Sequence, residues 1–282
     1  MAHLLQLIEK LSLFGFLVGS MLGMGLSLAP WAILARLRDV RLVLLALGLN
    51  FILAPAFALL LTVIIPLQRG HVIGLLLLSS AAGAPFLPTL AKTARGDLVL
   101  SIALMALLTV GTLFFMPVAL PFMIPGFQAN PWSIARPLIL LIVLPLLAGM
   151  LIGARVPSLA VRAAPILIKI GNAFLLLFFV LLVVLNVRPL LGVVGSGAIA
   201  AVALYVTGLF AAGWTFGGAK VEVRGALGLA TAARNFGAAL VPASSNLSDP
   251  AVEIMLTVSA VVCLVISFIA AGWLRRRMVA TL

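Results

Sequence analysis

The chain of 282 residues carries little charge: Asp, Glu, Lys and Arg together make up 9%, against roughly 25% in an average soluble domain. So few charges cannot cover a water-soluble fold of this size. That argues against a soluble enzyme, a nucleic-acid binder and a disordered tail. Acidic residues are the scarcest. Glu9, Asp39, Asp97, Glu222, Asp249 and Glu253 all fall at the ends of apolar runs or in loops. The single cysteine, Cys263, permits neither a disulfide framework nor a thiolate metal site. The two histidines, His3 and His71, lie at the chain start and at the end of an apolar run, so no histidine metal pair is expected. A membrane enzyme would need a base and a nucleophile paired at depth, and no buried His, Asp or Glu is present to form them. The chain reads as a non-enzyme without cofactor or metal.

What the chain has in excess is apolar residues, 65% of the total, against roughly 45–50% in soluble domains. The apolar runs are continuous rather than alternating, which excludes a β-barrel and leaves an all-α polytopic membrane protein. About 20 apolar residues cross the hydrocarbon core. Nine segments qualify: 11–29, 42–64, 72–91, 98–123, 134–154, 165–186, 190–217, 225–246 and 251–274. The first follows Glu9 and Lys10 but lacks a small-x-small cleavage site. Its Gly15, Gly19 and Gly23 suit helix packing, so it counts as a span rather than a signal peptide.

The net charge of +12 orients these spans rather than recruiting nucleic acid. One side gathers Arg36, Arg38, Arg41, Lys92, Arg95, Arg155, Arg162, Lys220, Arg224, Arg275, Arg276 and Arg277. The other holds Lys10, Arg69, Arg136 and Arg188. The positive-inside rule then expects an external N-terminus and a cytoplasmic C-terminus in a plasma membrane, the inner membrane of a bacterium. Lys169, one turn inside its span, snorkels. Arg234 does not: it lies ten residues past Arg224, about 15 Å along a helix. An arginine at that depth faces the protein interior and marks a ligand, a counter-ion or a helix tie.

Two spans are interrupted. The third carries Gly83-Ala84-Pro85 and then Pro88; the eighth carries Asn235-Phe236-Gly237 and then Pro242. Proline removes a backbone donor, and in lipid the freed groups must meet protein or a water-filled cavity. Superposing Gly96-Asp97 on Ser248-Asp249 gives an offset of 152, which lays Gly83-Ala84-Pro85 over Asn235-Phe236-Gly237. Each broken span is preceded by one full span and followed by another, giving units over 42–123 and 190–274 that enter the membrane from opposite sides. Inverted three-helix repeats with registered breaks point to a secondary transporter and to its site. Two half-helix N-termini at the midplane, with Arg234 beside them and no buried carboxylate, favour an anion. Among the polar residues nearest the breaks, Ser80, Thr231 and Asn235 are the candidates for substrate contact, with Arg234 and with Asn50 on the preceding span. Tyr205 and Asn172 read equally well as structural; Ser79, Thr89, Thr109, Thr112, Ser244 and Ser245 also belong to the core repeats, where about half of such polar residues bond only to neighbouring helices or backbone.

Three stretches also carry a family resemblance: Met21-Leu-Gly-Met-Gly-Leu26, Ser79 through Ala94-Arg95-Gly96-Asp97 to Leu100-Ser101, and Arg234-Asn235-Phe236-Gly237. Over nearly its whole length the chain resembles the bile acid:sodium symporter family, as a nine-helix bacterial-type member of the bile/arsenite transporter superfamily. The stretches match its GMGL-type helix, its first crossover with the ARGD/LS continuation, and its second crossover, where a Gln-Asn-Ser-Gly-type motif is usual. The resemblance implies a core of two inverted units with two broken crossover helices, and a panel domain from spans 1, 5 and 6. The expected divisions are 1–39 (panel helix 1), 40–124 (core repeat one, break near 83–88), 125–187 (panel helices 5 and 6), 188–275 (core repeat two, break near 234–237) and 276–282 (cytoplasmic tail). The helix-breaking residues are then Gly83, Pro85, Pro88 and Gly237.

The family's sodium-site positions fall on Leu87, Pro88, Ser101, Met105, Ala230 and Arg234. Of these only Ser101 retains a side-chain oxygen, while Asn50 substitutes for a glutamine. Sodium needs several oxygen ligands. A cation 4 Å from Arg234 would also be repelled by about 4 kcal/mol at an effective dielectric of 20. The chain is therefore expected to carry a small organic anion, carboxylate or bile-acid-like, by alternating access, without classical sodium sites and with proton coupling open. Alternatives are a sodium-coupled symporter with a rebuilt site, an arsenite-type efflux carrier and a non-transporting scaffold. The expected partners are the anion and the lipid bilayer, not nucleic acid.

Overall fold

A computed structural model of the chain describes residues 2–28, 35–124, 130–247 and 249–280. Every regular element among the described residues is helical. In chain order they are α1 (Ala2–Ser27), α2 (Val40–Ile64), α3 (Arg69–Ser80), α4 (Leu87–Ala94), α5 (Leu98–Met123), α6 (Pro131–Arg155), α7 (Pro157–Leu185), α8 (Val187–Gly192), α9 (Ala198–Phe216), α10 (Val221–Ala232), α11 (Phe236–Asn246) and α12 (Pro250–Ala280). Seven of them are long and apolar enough to cross a membrane: α1, α2, α5, α6, α7, α9 and α12. Large apolar side chains such as Ile52, Val63, Phe114 and Phe122 stand exposed. Contiguous apolar surface on this scale fits a lipid environment. The chain is a multi-pass membrane protein.

Side-chain caps set two of the helix starts. Asp39 and Asp97 cap α2 and α5, each accepting from a backbone N–H three residues on, Leu42 at 3.1 Å and Leu100 at 2.9 Å. The expected span 98–123 coincides with α5. The expected first span ended at residue 29, which lies outside the described residues, as do Ser248 of the superposition and the last two residues of the tail. The expected span 190–217 is corrected. Residues 187–192 form a separate short helix, and the long helix begins only at Ala198. Gly195 and Gly197 between them take φ of 90° and 79°, a left-handed conformation that stops a helix. Hydropathy runs smoothly through Val193-Val194 and does not register that stop.

Neither π-helical turn follows from hydropathy. They occupy Leu49–Leu53 in α2 and Ile139–Val143 in α6. Each is followed two residues later by a proline, Pro55 and Pro145. A proline ring collides with the carbonyl four residues back, and widening the preceding turn relieves the clash without ending the helix.

Helix α1 packs along α6 and α7. Glycines let the backbones touch: a Cβ on Gly25 would come within 2.9 Å of Met150 N and 3.0 Å of Gly149 Cα. The remaining long helices, α2, α5, α9 and α12, surround the two pairs of half-helices. Half-helix α3 packs on α11, and α4 on α10. The first half of each interrupted segment thus faces the second half of the other.

Candidate functional site

The chain is non-helical over residues 81–86 and 233–235, and these two stretches meet. The backbone N–H of Asn235 donates to the carbonyl of Ala81 at 3.0 Å. Its Nδ2 donates to the carbonyl of Gly83 at 3.2 Å. Asn235 and Gly83 are 152 residues apart, the offset that superposes the two halves in sequence. Asn235 Oδ1 also accepts from Ala238 N at 3.0 Å and so caps α11.

Gly83 lies in the first break with φ of 80°, where a Cβ would collide with Thr109 N and Oγ1. No other residue suits that position. Pro85 is also in the break. Pro88 instead lies in the first turn of α4, where a missing N–H costs nothing. Gly237 likewise lies in the first turn of α11 rather than in the break, and Leu17 of α1 sits where its Cβ would be. Pro242 is inside α11.

The first break has no polar side chain of its own, so its backbone groups are satisfied from α5 as well as from Asn235. Thr112 Oγ1 accepts from Ala82 N at 2.9 Å and donates to Ala82 O at 3.1 Å. Thr109 Oγ1 lies 3.1 Å from Gly83 O. This meets the rule that irregular backbone at membrane depth must be paired within the protein.

Arg234 is fully buried, with 0% exposure. Its Nη1 donates to Asn50 Oδ1 at 3.0 Å, and its Nη2 to the Tyr205 hydroxyl at 3.1 Å. The guanidinium carbon lies 5.7 Å from the Tyr205 ring centroid, over its face. Nε has no partner among the described residues. Asn50 belongs to the π-turn of α2, and its Nδ2 donates to Ala46 O at 2.9 Å, which fixes the amide with its oxygen toward the arginine. One cation therefore ties α2, α9 and the second break through neutral oxygens.

The other candidates are placed as follows. The Thr231 hydroxyl donates to Leu227 O at 2.8 Å, within its own helix. The Ser80 hydroxyl donates to Leu76 O at 3.0 Å, also within its own helix. Neither is bonded to the Arg234 group. At the sodium-site positions, Leu87, Met105 and Ala230 are buried apolar side chains, and Ser101 Oγ donates to Asp97 O at 2.9 Å.

Two members of the site received no role from the sequence. Tyr205 is the chain's one tyrosine, and a phenol inside an apolar span was the signal that could have marked it. Cys263 stood apart in the last span, yet its thiol reaches Ala232 O at 3.5 Å, beside the second break. Nothing in its spacing reveals that contact.

A closed apolar crevice of about 10 Å³ lies beside the breaks. Phe86 and Phe236 stack there at 6.4 Å with planes 5° apart. Pro85, Phe16 from α1, Leu175 and Phe179 from α7, and Leu264 complete it. Arg234 does not line it.

The sodium bile acid symporter family model matches residues 15–192, from α1 through the first break to α8. No curated protein matches the chain.

Proposed function

The chain belongs to the sodium bile acid symporter family, and we propose that within it the chain is a secondary carrier of a small organic anion in which Arg234 serves as a built-in cation. The observation that carries this reading is the buried guanidinium held by Asn50 and Tyr205 where the two breaks meet. A bound sodium ion and a guanidinium can draw on the same kind of neutral oxygens. The guanidinium needs no ion from solution and repels one that arrives, by about 4 kcal/mol at 4 Å and an effective dielectric of 20. The apolar residues at the sodium-equivalent positions, Leu87, Pro88, Met105 and Ala230, agree with this.

In the proposed scheme each pair of half-helices counts as one crossing, so the chain crosses nine times. The units over 42–123 and 190–274 form an inverted core, and α1, α6 and α7 form the panel. The cation-rich end is cytoplasmic. The substrate's apolar body enters beside Phe86 and Phe236 once panel and core part, because the crevice there, of about 10 Å³, is closed to anything larger than a water. Its anionic group is attracted by the half-helix N-termini and by Arg234 behind them, with Asn235, Thr231, Ser80 and Asn50 completing the polar surroundings. The panel and core rock about this point.

The test is thermal unfolding of the purified protein in NaCl against KCl at equal ionic strength. A ligand present at one hundred times its Kd stabilises a fold by about 2.7 kcal/mol. The expected result is equal midpoints in the two salts, with liposome uptake of a carboxylate unchanged when sodium is replaced by potassium at fixed membrane potential. A sodium-specific rise together with sodium-dependent uptake would overturn the built-in cation and leave a sodium symporter with a rebuilt site.

A further inference from the structure

At the cation-rich end, two neighbouring cavities share part of their lining. The first, of about 350 Å³, lies between the start of α2, the start of α5 and the α9–α10 turn; its charged lining is Arg36, Asp39, Arg41 and Lys220. The second, of about 730 Å³, is an open groove along α2 lined by Val40, Arg41, Leu44, Leu45, Gly48, Leu49, Leu53 and Phe216. Arg41, Leu45 and Phe216 belong to both.

The charges of the first cavity are unequally engaged. Arg36 pairs with Asp97 at 2.7 Å. Asp39 caps α2. Among the described residues Arg41 and Lys220 take part in no ion pair. Both are exposed, so the head of the slot presents two uncommitted cations. Below them the groove is apolar, and three of its side chains stand clear of the core: Val40, Leu44 and Phe216 are each more than half exposed, at 66%, 63% and 54%. Its floor is hollowed at Gly48, where a Cβ would meet nothing within 4 Å. From Arg41 to Leu53 the helix rises about 18 Å, at about 1.5 Å per residue. One leaflet of a hydrocarbon core about 30 Å thick is about 15 Å deep, so the groove spans its depth with Arg41 at the headgroup level.

We propose that this slot holds one anionic phospholipid, with its phosphate between Arg41 and Lys220 and one acyl chain along the groove over Gly48. A cationic head joined to an apolar channel of leaflet depth matches such a lipid in both charge and length. A free phosphate would use only the head, and a zwitterionic lipid would gain less from the two cations. The acyl chain lies against Leu49, the first residue of the π-turn that carries Asn50. Occupancy therefore braces the turn that holds Arg234.

The experiment is native mass spectrometry of the intact protein with phosphatidylglycerol and phosphatidylcholine of identical chains, and separately with glycerol 3-phosphate. The expected result is one phosphatidylglycerol retained roughly tenfold or more over phosphatidylcholine. The double variant Arg41→Gln, Lys220→Gln loses that preference. Gly48→Leu, which leaves every charge in place, lowers phosphatidylglycerol retention roughly threefold or more by filling the groove. Arg155→Gln, an exposed cation outside the slot, leaves it unchanged. Because the Gly48 Cβ position is open, that variant keeps its thermal midpoint in phosphatidylcholine, which separates a blocked groove from a damaged fold. Equal retention of the two lipids overturns the proposal. So does a preference that survives the double variant, full retention by Gly48→Leu, or glycerol 3-phosphate held as firmly as the lipid.

Discussion

The two breaks at the centre of the molecule do the same thing to the helix and opposite things chemically. The first runs through Ala81, Ala82, Gly83 and Ala84 and brings no polar side chain. It offers carbonyls, and Thr109, Thr112 and Asn235 bond them. The second brings Arg234 and Asn235, whose side chains donate to Asn50, Tyr205 and Gly83. One break accepts and the other donates, and the crossing is closed by that match. Neither break presents a side-chain oxygen acceptor of its own to a cation, because Asn235 Oδ1 is engaged in capping α11. Positions related by an offset of 152 thus meet at the crossing but share neither chemistry nor backbone conformation, with φ of 80° at Gly83 and −87° at Asn235.

The comparison breaks most completely at Gly83. Gly83→Val puts a branched side chain into Thr109 at a φ of 80°. The left-handed conformation alone costs about 1–2 kcal/mol and the overlap adds about 1–3 more. Purification is expected to yield little folded protein, scored by size-exclusion profile and thermal midpoint. Next is Asn235→Leu, which removes the donor to Gly83 O and the cap of α11, for a loss of about 2–3 kcal/mol. Asn235→Ser, which keeps only the capping oxygen, should recover about half of that. If the serine variant were as unstable as the leucine variant, the cross-break bond would be carrying the whole effect. Tyr205→Phe leaves Arg234 Nη2 unpaired in the core, at about 1–3 kcal/mol, and slows anion uptake in liposomes; uptake at the full rate would remove Tyr205 from the site. The smallest effects separate two threonines. Thr109→Val strips a bond from the first break and should cost about 1 kcal/mol. Thr231→Val strips only a bond within its own helix and should cost about 0.5 kcal/mol or less. Equal losses would show that the first break does not depend on α5.

Much of this arrangement was legible along the chain. Asp97 followed by an unbroken apolar run gives α5 its limits, because a capping carboxylate and a continuous apolar run are local features. The interruption near Gly83 and the depth of Arg234 could be read from spacing alone. The gap between α8 and α9 could not, because it depends on the φ values of Gly195 and Gly197 rather than on hydropathy. The π-turns before Pro55 and Pro145 were also hidden, since a proline in a helix has several local remedies and packing selects among them. Within the site, Asn50 stood out as an amide in an apolar span. Tyr205 and Cys263 did not, because a phenol or a thiol buried in such a helix is chemically ambiguous until its neighbour is known.

The sequence by itself determined that this chain lives in a membrane, that two of its apolar runs are interrupted, and that an arginine is buried beside one interruption. Those properties follow from hydropathy, proline and glycine chemistry and the 1.5 Å rise of a helix, all of which act between near neighbours. Only the tertiary structure decided that Arg234 faces Asn50 and Tyr205 rather than the Phe86–Phe236 cavity, and that Thr109 and Thr112 serve the first break. A buried hydrogen-bond group takes whichever partner the packed helices bring within about 3 Å. Asn50 lies 184 residues from Arg234 along the chain, so packing rather than spacing makes that choice.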